Sequence, residues 1–339
     1  MLRRPRLTPA MADVRRAIRE SWDRHGVTSG DVVSVAVSGG PDSLALAGAA
    51  IFEGKRAGVD VLAVIVNHNL QKGSMEVALR AKDTLLSLGF ETVEVMEVQV
   101  KQTSIGMEAA ARNARYGALD AFAKAHGARF TMLGHTLDDQ AETVLLGLAR
   151  GSGAKSIAGM QELSADGKYL RPLLAVRRAT TVAFCSDSGI KVWNDPQNKD
   201  TKFSRVKVRL KVLPVLEKEI GPGIAESLAK TAGILQEDLE YLDAQAAKAF
   251  KAVSKTTNNS VSLDVKGLEK LPTAIRNRVI LKALALLGTE PAKVQIDLIS
   301  ALVTNWHGQK PLALPSVRVV RQGNEIILKS TKTLKPGAC

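Results

Sequence analysis

The run Val32-Val33-Ser34-Val35-Ala36-Val37-Ser38-Gly39-Gly40-Pro41-Asp42-Ser43 decides how the rest of the chain is read. Its first six residues are nearly all apolar, as expected of a parallel strand buried on both faces. They lead straight into a glycine–serine loop, and an apolar helix follows from about Ser43 to Ala57. The glycines let backbone N–H groups approach an anion, the serines add hydroxyl donors, and the helix start adds partial positive charge. Together these make a cradle for a pyrophosphate, formed by Ser38, Gly39, Gly40, Pro41, Asp42 and Ser43. A tight structural turn is the plainer reading, and the flanking hydroxyls argue against it. No Gly-x-x-x-x-Gly-Lys-Ser/Thr string occurs: Gly151-Ser152-Gly153-Ala154-Lys155-Ser156 has the wrong spacing. The Gly-x-Gly-x-x-Gly dinucleotide fingerprint is also missing.

Outward from this loop the pattern alternates. A helix from Thr8 to Arg24 precedes it. Strands are expected at 61–66, 92–98 and 129–133, separated by helices at 74–89 (capped by Ser74), 107–126 and 138–149. This is an α/β fold, a Rossmann-like parallel sheet with helices on both faces, and its ligands belong beyond the carboxyl ends of the strands. A helix at 176–188, an apolar stretch Ile190–Trp193 and a basic helix from Thr201 to Glu219, bent or ended at Pro214, extend this domain. Gly221-Pro222-Gly223 marks a boundary. Beyond it a smaller, mainly helical substrate-binding domain is expected, with helices at 224–255, 272–288 and 291–305 and a short β element at 317–320 and 325–328. The domains read as an N-terminal helix 1–30, a nucleotide domain 31–216, a second domain 222–330 and a tail 331–339.

Composition sets the outer limits. A chain of 339 residues fits two domains. With 47 basic against 34 acidic residues, the net charge of +13 suits a phosphate-rich partner, although a basic surface alone does not require one. Two cysteines, Cys185 and Cys339, make neither a disulfide framework nor a Cys-x-x-Cys metal site. No apolar run is long enough for a membrane span, and no apolar stretch follows the basic N-terminus as in a signal peptide, so a cytoplasmic protein is expected.

The loop resembles the Ser-Gly-Gly-x-Asp-Ser motif of the N-type ATP pyrophosphatase (PP-loop) superfamily. Those enzymes cleave ATP between the α- and β-phosphates and adenylate a carbonyl or ring oxygen. Further segments narrow the resemblance: Val66-Asn67-His68-Asn69-Leu70-Gln71, the helix opening Glu108-Ala109-Ala110-Ala111-Arg112-Asn113-Ala114-Arg115-Tyr116, and Leu133-Gly134-His135-Thr136-Leu137-Asp138-Asp139-Gln140-Ala141-Glu142-Thr143. Asn194-Asp195-Pro196-Gln197-Asn198-Lys199-Asp200 and Phe203-Ser204-Arg205-Val206-Lys207-Val208-Arg209 complete the set. Taken together, residues 31–216 are similar to the tRNA(Ile)-lysidine synthetase family. The sequence departs from that pattern at Asn69 and Gln71, where the family has Gly and Arg, and at Val206, where it has Asn.

The resemblance implies ATP-dependent attachment of free L-lysine to C2 of the wobble cytidine of a CAU-anticodon isoleucine tRNA, through an adenylated cytidine. It places Arg112 at the α-phosphate, and His68, Gly134 and His135 around the nucleotide. Asp42, Asp139 and Glu142 then surround the lysine, with Mg²⁺ on Asp42 and Asp139. From the residues alone, Asp139 and Glu142 share a helix face, and paired carboxylates can hold an ammonium, ligate Mg²⁺ or accept a proton. They also suit an acidic first turn against the helix dipole. The run Lys202, Arg205, Lys207, Arg209 and Lys211 contains no acid. It reads as a solvated face or, with the resemblance, as contact to tRNA phosphates. A homodimer face is the alternative reading for the C-terminal helices. Rival readings are a tRNA thiolase, which would need reactive cysteines, amidating relatives that lack the basic helix, and a non-catalytic nucleotide- or RNA-binding protein.

Overall fold

The computed structural model describes residues 7–69, 73–99, 106–151, 153–193, 195, 200–289 and 291–331, with only the backbone of Met107 and Glu108. The expectations placed on Gln71, on most of the segment 194–200 and on the tail beyond Thr331 lie outside the described residues. The chain divides into two compact units, Met1–Leu235 and Gln236–Cys339.

The first unit runs α1 (Pro9–Arg24), β1 (Val32–Val37), α2 (Pro41–Ala57), β2 (Asp60–Asn67), α3 (Ser74–Ser87), β3 (Val93–Glu97), α4 (Met107–His126), β4 (Phe130–Leu133) and α5 (Leu137–Ala149). It continues through α6 (Ala154–Ile157), β5 (Tyr169–Leu170), α7 (Arg178–Asp187), α8 (Ser204–Lys207), a π-helical turn (Val208–Val212), α9 (Leu213–Glu219) and the start of α10 (Ile224–Val253). The sheet order is β3-β2-β1-β4-β5, with every neighbouring pair parallel.

Alternate residues of each strand serve the two faces, as the pleat requires. Val33, Val35, Val61, Ala63, Phe130 and Met132 pack with α1, α2, α3 and α7, whereas Ala36, Val64 and Leu133 pack with Leu119 and Phe122 of α4. The chain builds outward from β1 to β3 on one side and resumes with β4 on the other. This topological switch opens a crevice between the carboxyl ends of β1 and β4.

Local differences from the sequence reading have physical causes. Gly73, at φ +83, takes the N-cap of α3, so Ser74 becomes its first residue. The apolar stretch Ile190–Trp193 returns to the phosphate loop, where Trp193 N–H donates to Gly39 O at 3.0 Å. The basic helix changes ladder before Pro214. The π turn falls just where Pro214, without an N–H, interrupts the regular i to i−4 bonding. Gly221-Pro222-Gly223 does precede a new helix, but the two units divide inside α10, after Leu235. The first turns of α10 are held in the first unit, where Ile224, Ala225, Leu228 and Ala229 pack with Leu137 and Ala141 of α5 and Leu213 of α9.

The second unit holds β6 (Ser254–Thr256), β7 (Ser260–Asp264), α11 (Val265–Glu269), α12 (Thr273–Leu286), α13 (Lys293–Thr304), β8 (Leu312–Ala313), β9 (Val317–Gln322) and β10 (Glu325–Ser330). Its antiparallel sheet has the order β6-β7-β10-β9-β8. Val261, Leu263, Val317, Val319, Ile326 and Leu328 face a core shared with Val279, Ile280 and Ile299 of the helices. No helix among the described residues is long and apolar enough to cross a membrane.

Candidate active site

The crevice at the switch point is a cavity of about 700 Å³. Its lining includes Ser38, Gly40, Pro41, Asp42 and Ser43 from the loop after β1, Gly134 and His135 after β4, and Asp139 of α5. Arg115, Arg178, Arg205 and Arg209 supply its cations.

The loop is ordered by its own hydroxyls. Ser43 Oγ donates to Gly40 O at 3.0 Å and accepts from Ser38 N at 3.1 Å, while the two serine hydroxyls lie 3.2 Å apart. Gly39 sits at φ +84, a left-handed conformation costly for any side chain. Gly40 is the N-cap of α2, with Pro41 as the first helical residue, so the amides of the first turn face outward as an anion site. Gly134 is required by packing: a Cβ there would lie 3.0 Å from the backbone of Asp42 and Ser43.

Asp42 of the loop joins Asp139 and Glu142 in a clamp of three carboxylates and two arginines. Arg178 Nε donates to Asp42 at 3.1 Å, its Nη2 to Asp139 at 2.8 Å and its Nη1 to Glu142 at 3.3 Å. Arg209 Nε donates to Glu142 Oε1 at 2.7 Å and its Nη2 to Glu142 Oε2 at 3.1 Å. Glu142 has no exposed side-chain surface, so these guanidiniums stand in for water around a buried charge. Asp139 serves twice, because its Oδ2 also accepts from the backbone and hydroxyl of Thr136 in a capping box at the start of α5. Its neighbour Asp138 accepts from Arg178 N at 2.7 Å and so ties α7 to α5.

Burial raises the Asp42 pKa above the ordinary carboxylate value, with Arg178 and Thr181 opposing the rise. Burial acts the same way on Asp139, but Arg178 and the Thr136 hydrogen bonds outweigh it and hold that group below the usual range. Burial lowers His135 to about 4, and His68 is also lowered by burial. His135 is therefore a neutral imidazole at pH 7, with Nδ1 buried and unpaired among the described residues.

The cavity collects most of the residues singled out from the sequence, though not all. Gly39 lies in the loop itself. His68 stands at the end of β2 and does not line the cavity, and Lys202 and Lys207 are exposed on α8 and the segment before it. Arg112 does not line it either. Its guanidinium stacks over Tyr116 at 4.9 Å and lines an adjoining cavity, while Arg115 occupies the wall of the main one. Sequence reasoning missed Arg115 and Arg178. A signal for the second existed: Arg177-Arg178 opens α7, where a cation opposes the helix dipole.

The carboxylates do not fit a Mg²⁺ site in this arrangement. Both oxygens of Asp42 accept from Arg178 and Thr181, and both of Asp139 from Thr136 and arginine. Among the described residues no group of three or more potential ligands could hold a metal. Cys185 is equally unavailable for chemistry: buried, its Sγ donates to Pro41 O at 3.4 Å, and burial pushes its thiol up to about 12.

Residues 12–216 match the family described as the PP-loop domain, and residues 263–326 match the TilS substrate binding domain. A tRNA(Ile)-lysidine synthase of Leifsonia xyli is 51% identical over 300 residues, covering 88% of this chain and 90% of that protein. The chain belongs to the tRNA(Ile)-lysidine synthase family. A synthase of this name from Thermobifida fusca is 45% identical over 326 residues, covering 95% of this chain and 98% of its own. Among solved structures, the U34-tRNA thiolase NcsA of Methanococcus maripaludis superposes with a TM-score of 0.58 at 18% identity, over 67% of this chain and 79% of its own. That likeness concerns the fold. Membership of the lysidine synthase family makes this chain an ATP-binding enzyme of tRNA modification, and it fits the pairing of a PP-loop cavity with a separate second unit.

Proposed function

We propose that the protein ligates L-lysine to C2 of the wobble cytidine of a CAU-anticodon isoleucine tRNA. Cytidine O2 attacks the α-phosphorus of ATP and pyrophosphate leaves. The lysine ε-amine then attacks C2, and AMP leaves with the oxygen. The observation that carries this reading is that the phosphate loop and Asp139 of α5 open on one cavity, about 700 Å³ in volume. That size admits a nucleotide with a second reactant beside it.

The loop amides and Ser38 hold the leaving phosphates, and Arg115 takes the role at the α-phosphate that the sequence reading gave to Arg112. Asp42, Asp139 and Glu142 receive the lysine ammonium, which must displace part of the arginine clamp to reach them. His68 borders the base. Residues 31–216 form the adenylation domain, and residues 222–330 hold the tRNA, together with Lys202, Arg205, Lys207 and Arg209. The protein acts in the cytoplasm.

The test is lysine incorporation. The purified protein is incubated with ATP, Mg²⁺ and radiolabelled lysine, and the CAU isoleucine tRNA is compared with elongator methionine tRNA. Label in the first RNA alone, lost in Asp139→Ala, is expected. Label in neither RNA would overturn the proposal.

A further inference from the structure

Next to the reaction cavity lies a second one of about 410 Å³, within the range of small-molecule sites. It is bounded by the amino-terminal half of α4, the carboxyl-terminal half of α5, α6 and the start of α8. Its cations are Arg112, Arg150, Lys202 and Arg205, and its lining contains no carboxylate. Arg150 and Lys202 make no ion pair among the described residues. Cations left unneutralised in a concave site select an anion.

Two more features specify which anion. Phe203 lies in the wall with 43% of its surface exposed, and its ring meets no other ring or cation among the described residues. The other exposed phenylalanine, Phe52, is covered by the Arg15 guanidinium at 3.5 Å. An uncovered aromatic beside phosphate-binding cations is the platform that single-stranded nucleic acid uses. The second feature is Arg205, which lines both cavities. Its Nη2 donates to Thr143 at 2.9 Å and its Nε lies 3.8 Å from Glu142. The two cavities thus share a wall one side chain thick. An RNA strand with one base splayed into a reaction cavity needs its next nucleotide received at that distance.

We propose that this cavity is a subsite for the nucleotide adjoining the modified base, with its phosphate on Arg112, Arg150 and Lys202 and its base stacked on Phe203. The inference rests on the RNA-ligase reading and extends it to residues outside the reaction cavity. The triphosphate of ATP is the rival occupant, and the experiment separates the two.

Equilibrium binding of an anticodon stem-loop RNA is measured without ATP or lysine for the wild type, Phe203→Ala and Arg150→Ala over a range of salt. Phe203→Ala is expected to weaken binding by about tenfold. Arg150→Ala is expected to flatten the log affinity against log salt slope by about 0.7. The KM for ATP should not change. An RNA abasic at one neighbour of the target cytidine should lose affinity for the wild type and lose no more in Phe203→Ala. Phe203→Leu, which keeps apolar bulk and removes the ring, gives the same reading if the alanine variant does not fold. Variants that bind RNA within twofold of wild type, or that change only the KM for ATP, would overturn the subsite. Because binding is read without catalysis, a failed lysine incorporation leaves this result standing; a wild type that binds no RNA sinks both readings.

Discussion

Arg178 Nη2 lies 2.8 Å from Asp139 Oδ1, and the two remaining nitrogens of the same guanidinium reach Asp42 and Glu142. One side chain on α7 therefore holds together carboxylates from α2 and α5. Burial opposes its charge, but Asp139, Asp42 and Glu142 outweigh burial and keep it firmly protonated. With Arg178 only 20% exposed, removing it would leave partly buried carboxylates without their counter-charge. Arg178→Ala is expected to cost about 2–4 kcal/mol in urea unfolding and to abolish turnover. Arg178→Lys should recover only part of the stability, because a single ammonium cannot bridge three carboxylates. An alanine variant as stable as wild type would show that the clamp does not support the fold.

His135 supplies a pH signature. Its folded value of about 4 is depressed from the ordinary 6.5, so between these values the unfolded chain binds the extra proton. Stability contributed by the neutral imidazole is present above pH 6.5 and is lost as pH falls towards 4. The full effect is at most about 3 kcal/mol, and the partial exposure of the ring reduces it. Unfolding free energies of wild type and His135→Gln between pH 4 and 7 should converge towards the acid end. Parallel curves would refute the assignment.

Gly134 meets the phosphate loop so closely that its Cβ-bearing replacement must move Asp42 and Ser43. Gly134→Ala is expected to raise the KM for ATP by about tenfold or more, since misplacing a binding group by a fraction of an ångström is costly. Global stability should fall by about 1–2 kcal/mol. Pyrophosphate release at varied ATP measures the first effect; an unchanged KM would mean that the loop adapts.

Lys207 is exposed and makes no ion pair among the described residues, as phosphate contact requires. Lys207→Ala is expected to weaken tRNA binding and to reduce the salt slope by up to about 1. Unchanged affinity and slope would return this residue to the solvated face.

Much of the first unit was legible because its signals are local. A nearly all-apolar strand such as β1 needs cover on both faces, and four strands alternating with helices leave few arrangements. The antiparallel sheet of the second unit was only half visible. Ser254–Thr256 carries no apolar residue, and its first two residues were expected to end the helix at 224–255, yet it pairs with Val261–Leu263 because its backbone, not its side chains, makes the ladder. Ser260–Asp264 does alternate, but over too few residues to stand apart from the helix before it.

The sequence by itself determined the chemistry of the phosphate loop. Strand, glycine turn and helix start are set by short-range sterics and hydrogen bonds, and all of them fall within residues 32–43. It determined the acidic turn of α5 for the same reason. Only the tertiary structure decided that Arg178 closes the site and that Arg115, not Arg112, faces it. Arg178 is 136 positions from Asp42, and no periodicity spans such a distance. Arg112 and Arg115 are one helical turn apart, so their different walls depend on how α4 packs against the sheet, through Leu119 and Phe122.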